Sequence, residues 1–165
     1  MGSILAKLDL SDTGACGSFN FRRTARAVTR FYDEALQDTG IRSTQFAILV
    51  GIAKSQPVSI GALGSVLVID STTLTRSLRL LKKDGLVAVS ERSTMRQRFL
   101  SITSKGERIL ARALPVWRKT HNRFVASLGS HHWLDLRSEL ERLAHSTMDL
   151  DASSAKTHAP TSTAH

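Results

Sequence analysis

A single cysteine, Cys16, in 165 residues excludes an intramolecular disulfide and agrees with a reducing compartment. No stretch approaches the roughly 20 apolar residues that a bilayer-spanning helix needs. The opening MGSILAKLDLSD has neither the long apolar run nor the small-residue cleavage site of a signal peptide, so a cytoplasmic protein without a membrane segment is expected. Catalytic signatures are missing as well: there is no Walker loop, no G-x-S-x-G elbow and no HExxH, so neither an enzyme nor a cofactor is expected. The histidines His121, His131, His132, His145, His158 and His165 include no i, i+4 pair on one helix and no accompanying acidic or cysteine cluster. They read as surface or capping residues, not as metal ligands.

Acidic side chains are scarce too. Fourteen Asp and Glu face 23 Lys and Arg, a net charge of +9, while a hydrophobic content of 41% suffices for one core. Such a balance favours a polyanionic partner, nucleic acid first and an anionic membrane surface second.

Periodicity supplies the order of elements. In FNFRRTARAVTRFYDEALQDTG (19–40), Phe21, Ala25, Val28, Tyr32 and Ala35 recur at helical spacing, with Arg22, Arg23, Arg26 and Arg30 on the other face and Gly40 as the stop. Ser43 or Thr44 is placed to cap a second helix, whose nearly continuous apolar run from Phe46 to Ala53 predicts burial, and Pro57 closes the link that follows. Ser59 is placed to cap a short helix through Ile60, Leu63, Val66 and Leu67, and a turn near Val68–Asp70 leads into DSTTLTRSLRLLKKDGLV (70–87).

That segment has two unlike sides. Leu74, Leu78 and Leu81 fall within about 60° of one another, whereas Thr72, Arg76, Arg79 and Lys83 gather opposite, with Thr75 at their margin. Asp70 or Ser71 can cap its start, and Gly85 supplies a left-handed position after its end, from which Leu86 can fold back on Leu81. Two short helices joined by a tight turn, the second basic on its outer side, form a helix-turn-helix pattern. Residues 86–103 then read as two strands, Leu86 to Ser90 and Gln97 to Ile102, around a hairpin carrying Arg92, Arg96 and Arg98. From Asp70 to Arg108 nine basic residues stand against four acidic ones. Because this charge is spread over a helix and a hairpin, not one amphipathic segment, nucleic acid is favoured over a membrane surface.

Ser104 is placed to cap a long helix in which Pro115 predicts a bend. A last helix over 130–150 sets Trp133, Leu136, Leu140 and Leu143 on a narrow seam suited to helix packing within the chain or with a second copy. Beyond about Asp151 almost no large apolar residue remains, which predicts a disordered tail.

NFRRTARAVTRFYDEAL (20–36), DSTTLTRSLRLLKKDGLV, RQRFLSITSKG (96–106) and ALPVW (113–117), taken in this order, resemble the MarR family of winged helix-turn-helix transcriptional regulators. The likeness covers about residues 15–148. It implies a mainly α fold with a small β-hairpin wing: a flexible segment over 1–14, a domain over 15–150 and a disordered tail over 151–165. Within the domain, 15–40 and 104–150 would be N- and C-terminal dimerisation helices and 41–103 the winged helix-turn-helix. The implied function is sequence-specific, a homodimeric repressor bound to a pseudo-palindromic double-stranded DNA operator. Ser71, Thr72, Thr73, Thr75, Arg76 and Arg79 would meet the major groove and phosphates, and Arg96, with Arg98 beside it, would serve the wing. Two departures stand out: Thr94-Met95-Arg96 replaces the wing's usual Asp, any residue, Arg, and Ser71 stands where relatives often carry Arg.

The same resemblance implies release by a small aromatic or phenolic effector, with Phe19, Tyr32, Phe46 and Trp117 as candidates to line its pocket. Helical spacing gives these aromatic residues an ordinary core reading beside that one. The alternative is a thiol-based redox sensor using Cys16, near which several arginines would favour the thiolate.

Overall fold

The first amphipathic stretch forms α1 (Gly17–Leu36) in the computed structural model, which describes residues 4, 8–92 and 97–157. A 3-10 turn, Ser11–Ala15, precedes it, so part of the segment expected to be flexible has regular structure. The Asn20 side-chain amide ties this turn to α1 by donating to the Gly14 carbonyl at 2.9 Å. At its far end α1 tightens into a second 3-10 turn, Gln37–Thr39, and Gly40 takes φ +83°, a conformation open to a residue without Cβ. Only the second half of the stripe packs inward: Val28 and Tyr32 are half-buried and Leu36 is buried, whereas Phe21 is exposed.

α2 (Ser43–Ser55) starts differently from the sequence expectation. Neither Ser43 nor Thr44 is the cap: Arg42 holds that position, and the Ser43 backbone N–H and hydroxyl both donate to Asp33 Oδ1, at 2.7 and 2.6 Å. A carboxylate from α1 thus satisfies one orphan N–H at the start of the next helix. β1 (Val58–Ser59), which periodicity did not reveal, leads into α3 (Ile60–Leu67), where Ser59 Oγ accepts from the Ala62 N–H as expected. Val66, read as part of the inward face, is instead 72% exposed; it stands six residues after Ile60, off the stripe shared by Ile60, Leu63 and Leu67. The turn after α3 puts Val68 at φ +51°, with Ile69 N–H donating to the Gly64 carbonyl and Val68 N–H to that of Ser65. A β-branched residue there costs on the order of 1–3 kcal/mol.

α4 (Ser71–Lys83) follows, then β2 (Val87–Arg92) and β3 (Gln97–Ile102), each strand close to its expected span. The sheet order is β1-β3-β2, antiparallel throughout, with Leu100 facing Val58 on one side and Val89 on the other. Arg96 lies outside the described residues.

α5 (Ser104–Leu128) carries Pro115 within its length and is capped by Thr103, not Ser104, since Thr103 Oγ1 accepts from the Gly106 N–H at 3.0 Å. α6 (Ser130–Thr157) continues past the expected boundary at Leu150, so the first residues of the presumed tail are helical. The stretch Asp151-Ala152-Ser153-Ser154-Ala155-Lys156 has no glycine or proline to stop a helix already running.

Two compact units divide the chain after Arg118. In the first, Leu36, Ile48, Leu49, Ile52, Leu63, Leu74, Leu81, Leu86 and Leu100 are fully buried around the helix-turn-helix, each such side chain worth about 1.5–3 kcal/mol against exposure. In the second, the Trp133 ring meets His121 at 5.8 Å and Phe124 at 5.4 Å, both edge to face, while Leu134, Leu140 and Leu143 stay exposed.

Candidate nucleic-acid interface

The two sides of α4 separate cleanly. Leu74, Leu78 and Leu81 are buried, and Ser71, Thr72, Thr73, Thr75, Arg76 and Arg79 are all exposed. The open choice of cap resolves to Asp70, whose Oδ1 accepts from the Thr73 N–H at 2.9 Å, leaving the Ser71 side chain outside that role. Hydrogen bonding from Thr73 holds the Asp70 carboxyl below the usual carboxylate range. Its contribution to folding is therefore present above the unfolded value and is lost as pH falls through the lower folded one. At the other end Gly85 takes φ +71°, with Leu86 N–H donating to the Leu81 carbonyl at 2.9 Å and Gly85 N–H to that of Lys82 at 3.0 Å. This pair of hydrogen bonds is a Schellman closure, with Gly85 in the left-handed position foreseen for it.

Ser71, Thr72, Thr75, Arg76 and Arg79 line one shallow concavity of about 510 Å³, and none of them is acidic. A second groove, of about 400 Å³, runs between α4 and the sheet and brings Thr75, Arg79 and Lys82 together with Arg98 of β3. Three cations thus share its wall. Lys82 was missed in the sequence because its value depends on where the wing packs; its place seven residues after Thr75, on the side toward β3, was the available signal.

A separate cavity of about 560 Å³ lies between α1, α2, α3 and the first part of α5. Tyr32, Phe46 and Trp117 line it, with the Phe46 and Trp117 rings stacked at 5.6 Å and 22°. Burial pushes the Tyr32 phenol above its ordinary value. Phe19 does not join them; it is 54% exposed near the start of α1. Lys54, not foreseen, supplies the cavity's one cationic side chain, and Thr29, Ser43 and Thr44 its hydroxyls. Cys16 is exposed at the N-cap of α1.

Comparison with known proteins agrees with this geometry. The MarR family model matches residues 41–94. A solved M. tuberculosis transcriptional regulator, MosR in complex with DNA, is 32% identical with a TM-score of 0.76, covering 82% of this chain and 98% of its own. The chain belongs to the MarR family. As a MarR-family protein it is a DNA-binding transcriptional regulator with the winged-helix fold, and such regulators are generally non-enzymatic. Among curated relatives, the regulator SarZ of Staphylococcus aureus strain MRSA252 is 29% identical over 110 residues, 66% of this chain and 74% of SarZ. The repressor CouR bound to a 23-mer DNA duplex shares the MarR-family fold, with a TM-score of 0.71 at 21% identity over 83% of this chain and 98% of its own. Among the described residues no helix is long and apolar enough to cross a membrane.

Proposed function

We propose that the chain is a homodimeric repressor of a pseudo-palindromic operator, released by a small aromatic acid. The observation that carries this reading is the acid-free exposed face of α4, Ser71, Thr72, Thr73, Thr75, Arg76 and Arg79, continued onto Arg98. Cations neutralise phosphates and supply affinity, while threonine methyls and an arginine fork discriminate base edges. The family resemblance alone assigns Arg96, as the wing arginine, a contact beside the minor groove. Dimerisation is supported by apolar residues left in solvent at both ends of the chain: Phe19 and Phe21 on α1, and Leu134, Leu140 and Leu143 on α6. Selection of duplexes from a random pool by the full chain should return a two-fold repeat. Affinity for it should fall with salt at a slope of about −0.9 per neutralised phosphate. A pool without a shared sequence, or binding indifferent to salt, overturns the reading.

The effector class follows from the cavity's chemistry. Its aromatic walls suit a ring, and Lys54 at its edge suits a carboxylate. Occupancy would regulate by favouring one spacing of the paired α4 helices over another. Because Lys54 is exposed, its pair with a ligand carboxylate is worth about 1 kcal/mol, so Lys54→Met should weaken binding of benzoate-like acids roughly fivefold. Uncharged amide analogues should bind both proteins alike. Trp117 fluorescence provides the readout, and equal losses for acid and amide would remove Lys54 from the site.

A further inference from the structure

The end of α4 remote from its cap is gripped by the start of α5. Three successive carbonyls there are taken: Asp84 by Lys105 Nζ at 2.8 Å, Gly85 by the Thr103 hydroxyl at 2.7 Å, and Leu86 by the Thr103 N–H at 3.1 Å. Thr103 Oγ1 donates to Gly85 and accepts from the Gly106 N–H at 3.0 Å, so one hydroxyl joins the end of one helix to the beginning of the other. Gly106 lets the backbones approach this closely: a Cβ there would stand 2.2 Å from the Leu86 carbonyl oxygen. The Lys105 ammonium also complements the negative end of the α4 dipole.

We propose that Thr103, Lys105 and Gly106 form a clasp that sets the angle of α4, making them positioning residues for sequence recognition that do not themselves touch DNA. The inference rests on α4 being the helix that reads bases. Elsewhere α4 is seated mainly by its leucine stripe, and hydrophobic contact is not directional: a helix resting on leucines can tilt with little change in buried area. Hydrogen bonds are directional and would remove that freedom. The lever is long. Thirteen helical residues span about 20 Å, so a tilt of about 5° about the clasp moves the Ser71 end by nearly 2 Å. A displacement of that size breaks a bidentate contact to a base, whereas long lysines and arginines can still follow a phosphate.

The test measures affinity for the duplex selected by the wild-type full chain and for a random duplex of equal length, well below each variant's melting midpoint so that all are folded. Thr103→Val, which keeps shape and loses the hydroxyl, should lower the ratio of selected to random affinity about tenfold, and Thr103→Ser should restore it to within about twofold of wild type. Arg76→Ala, Thr72→Ala and Thr75→Ala are measured alongside. If any of these collapses the ratio while Thr103→Val leaves it unchanged, the clasp is merely structural and the proposal fails alone. If Arg76→Ala, Thr72→Ala and Thr75→Ala all leave the ratio unchanged, α4 is not the reading helix and the clasp falls with it.

Discussion

Gly106→Ala should destabilise the protein by about 3 kcal/mol, lowering its thermal midpoint by several degrees. Ordinary helix propensity predicts the opposite, because alanine is favoured over glycine in a helix, by up to about 1 kcal/mol at an interior position and less in the first turn where Gly106 stands. The surroundings reverse that sign. The added methyl would stand 2.2 Å from the Leu86 carbonyl oxygen and 2.7 Å from Ile102 Cγ1, and the nearer neighbour is backbone already engaged with the Thr103 N–H. Relief requires α5 to move away from the end of α4, breaking bonds to the Asp84, Gly85 and Leu86 carbonyls together. Gly61→Ala is the contrast: it also lies in a helix, with nothing within 4 Å of its added Cβ, and should be neutral or slightly stabilising. Calorimetry of the two variants decides the matter, and a midpoint for Gly106→Ala at or above wild type would refute the close-approach argument.

The second large effect concerns Arg76. Its side chain projects from the exposed face, in the concavity shared with Thr72 and Thr75 and nearly two turns beyond the Asp70 cap of α4. A guanidinium there can fork onto guanine O6 and N7, a contact worth about 1–3 kcal/mol of discrimination, so Arg76→Ala should weaken operator binding roughly 5- to 150-fold per half-site. Random duplexes should lose far less, because only one phosphate-neutralising charge is removed. Lys83, exposed at the far end of the same helix, is the comparison: Lys83→Ala should reduce both affinities alike. Parallel losses for Arg76→Ala on both duplexes would make it a phosphate contact.

The features legible in the sequence are those set by neighbours in the chain. Leu74, Leu78 and Leu81 at helical spacing fixed the buried side of α4, and Gly85 with Leu86 fixed its end, because both depend on contacts within one turn. What escaped depends on partners far along the chain. Asp33 displaces the local cap of α2 from ten residues away, and Thr103 and Lys105 reach carbonyls about twenty residues before them. β1 has two residues, too short for any alternation to register, and exists because Leu100 offers it a ladder partner. The aromatic candidates divide for the same reason. Tyr32, Phe46 and Trp117 converge because α1, α2 and α5 meet around them, while Phe19, more than three turns earlier on the same helix as Tyr32, lies outside that cavity and is exposed.

The pairing of Val58 with Leu100 also has a bearing on how the domain folds. It shuts a loop of some forty residues that holds α3, α4 and β2, and the Gln56 side chain adds a bond to the Ile102 N–H at 2.8 Å at the same closure. Isolated helices of 8 and 13 residues are marginal in water, so neither α3 nor α4 gains much by forming early. Their stability comes after the non-local ladder has been closed against its entropy. Folding of the region should accordingly be all-or-none, with nucleation waiting on β3. A nascent chain that has emerged only as far as residue 90 would lack the strand that closes the loop and would present no reading surface, so competence for DNA arises in one step.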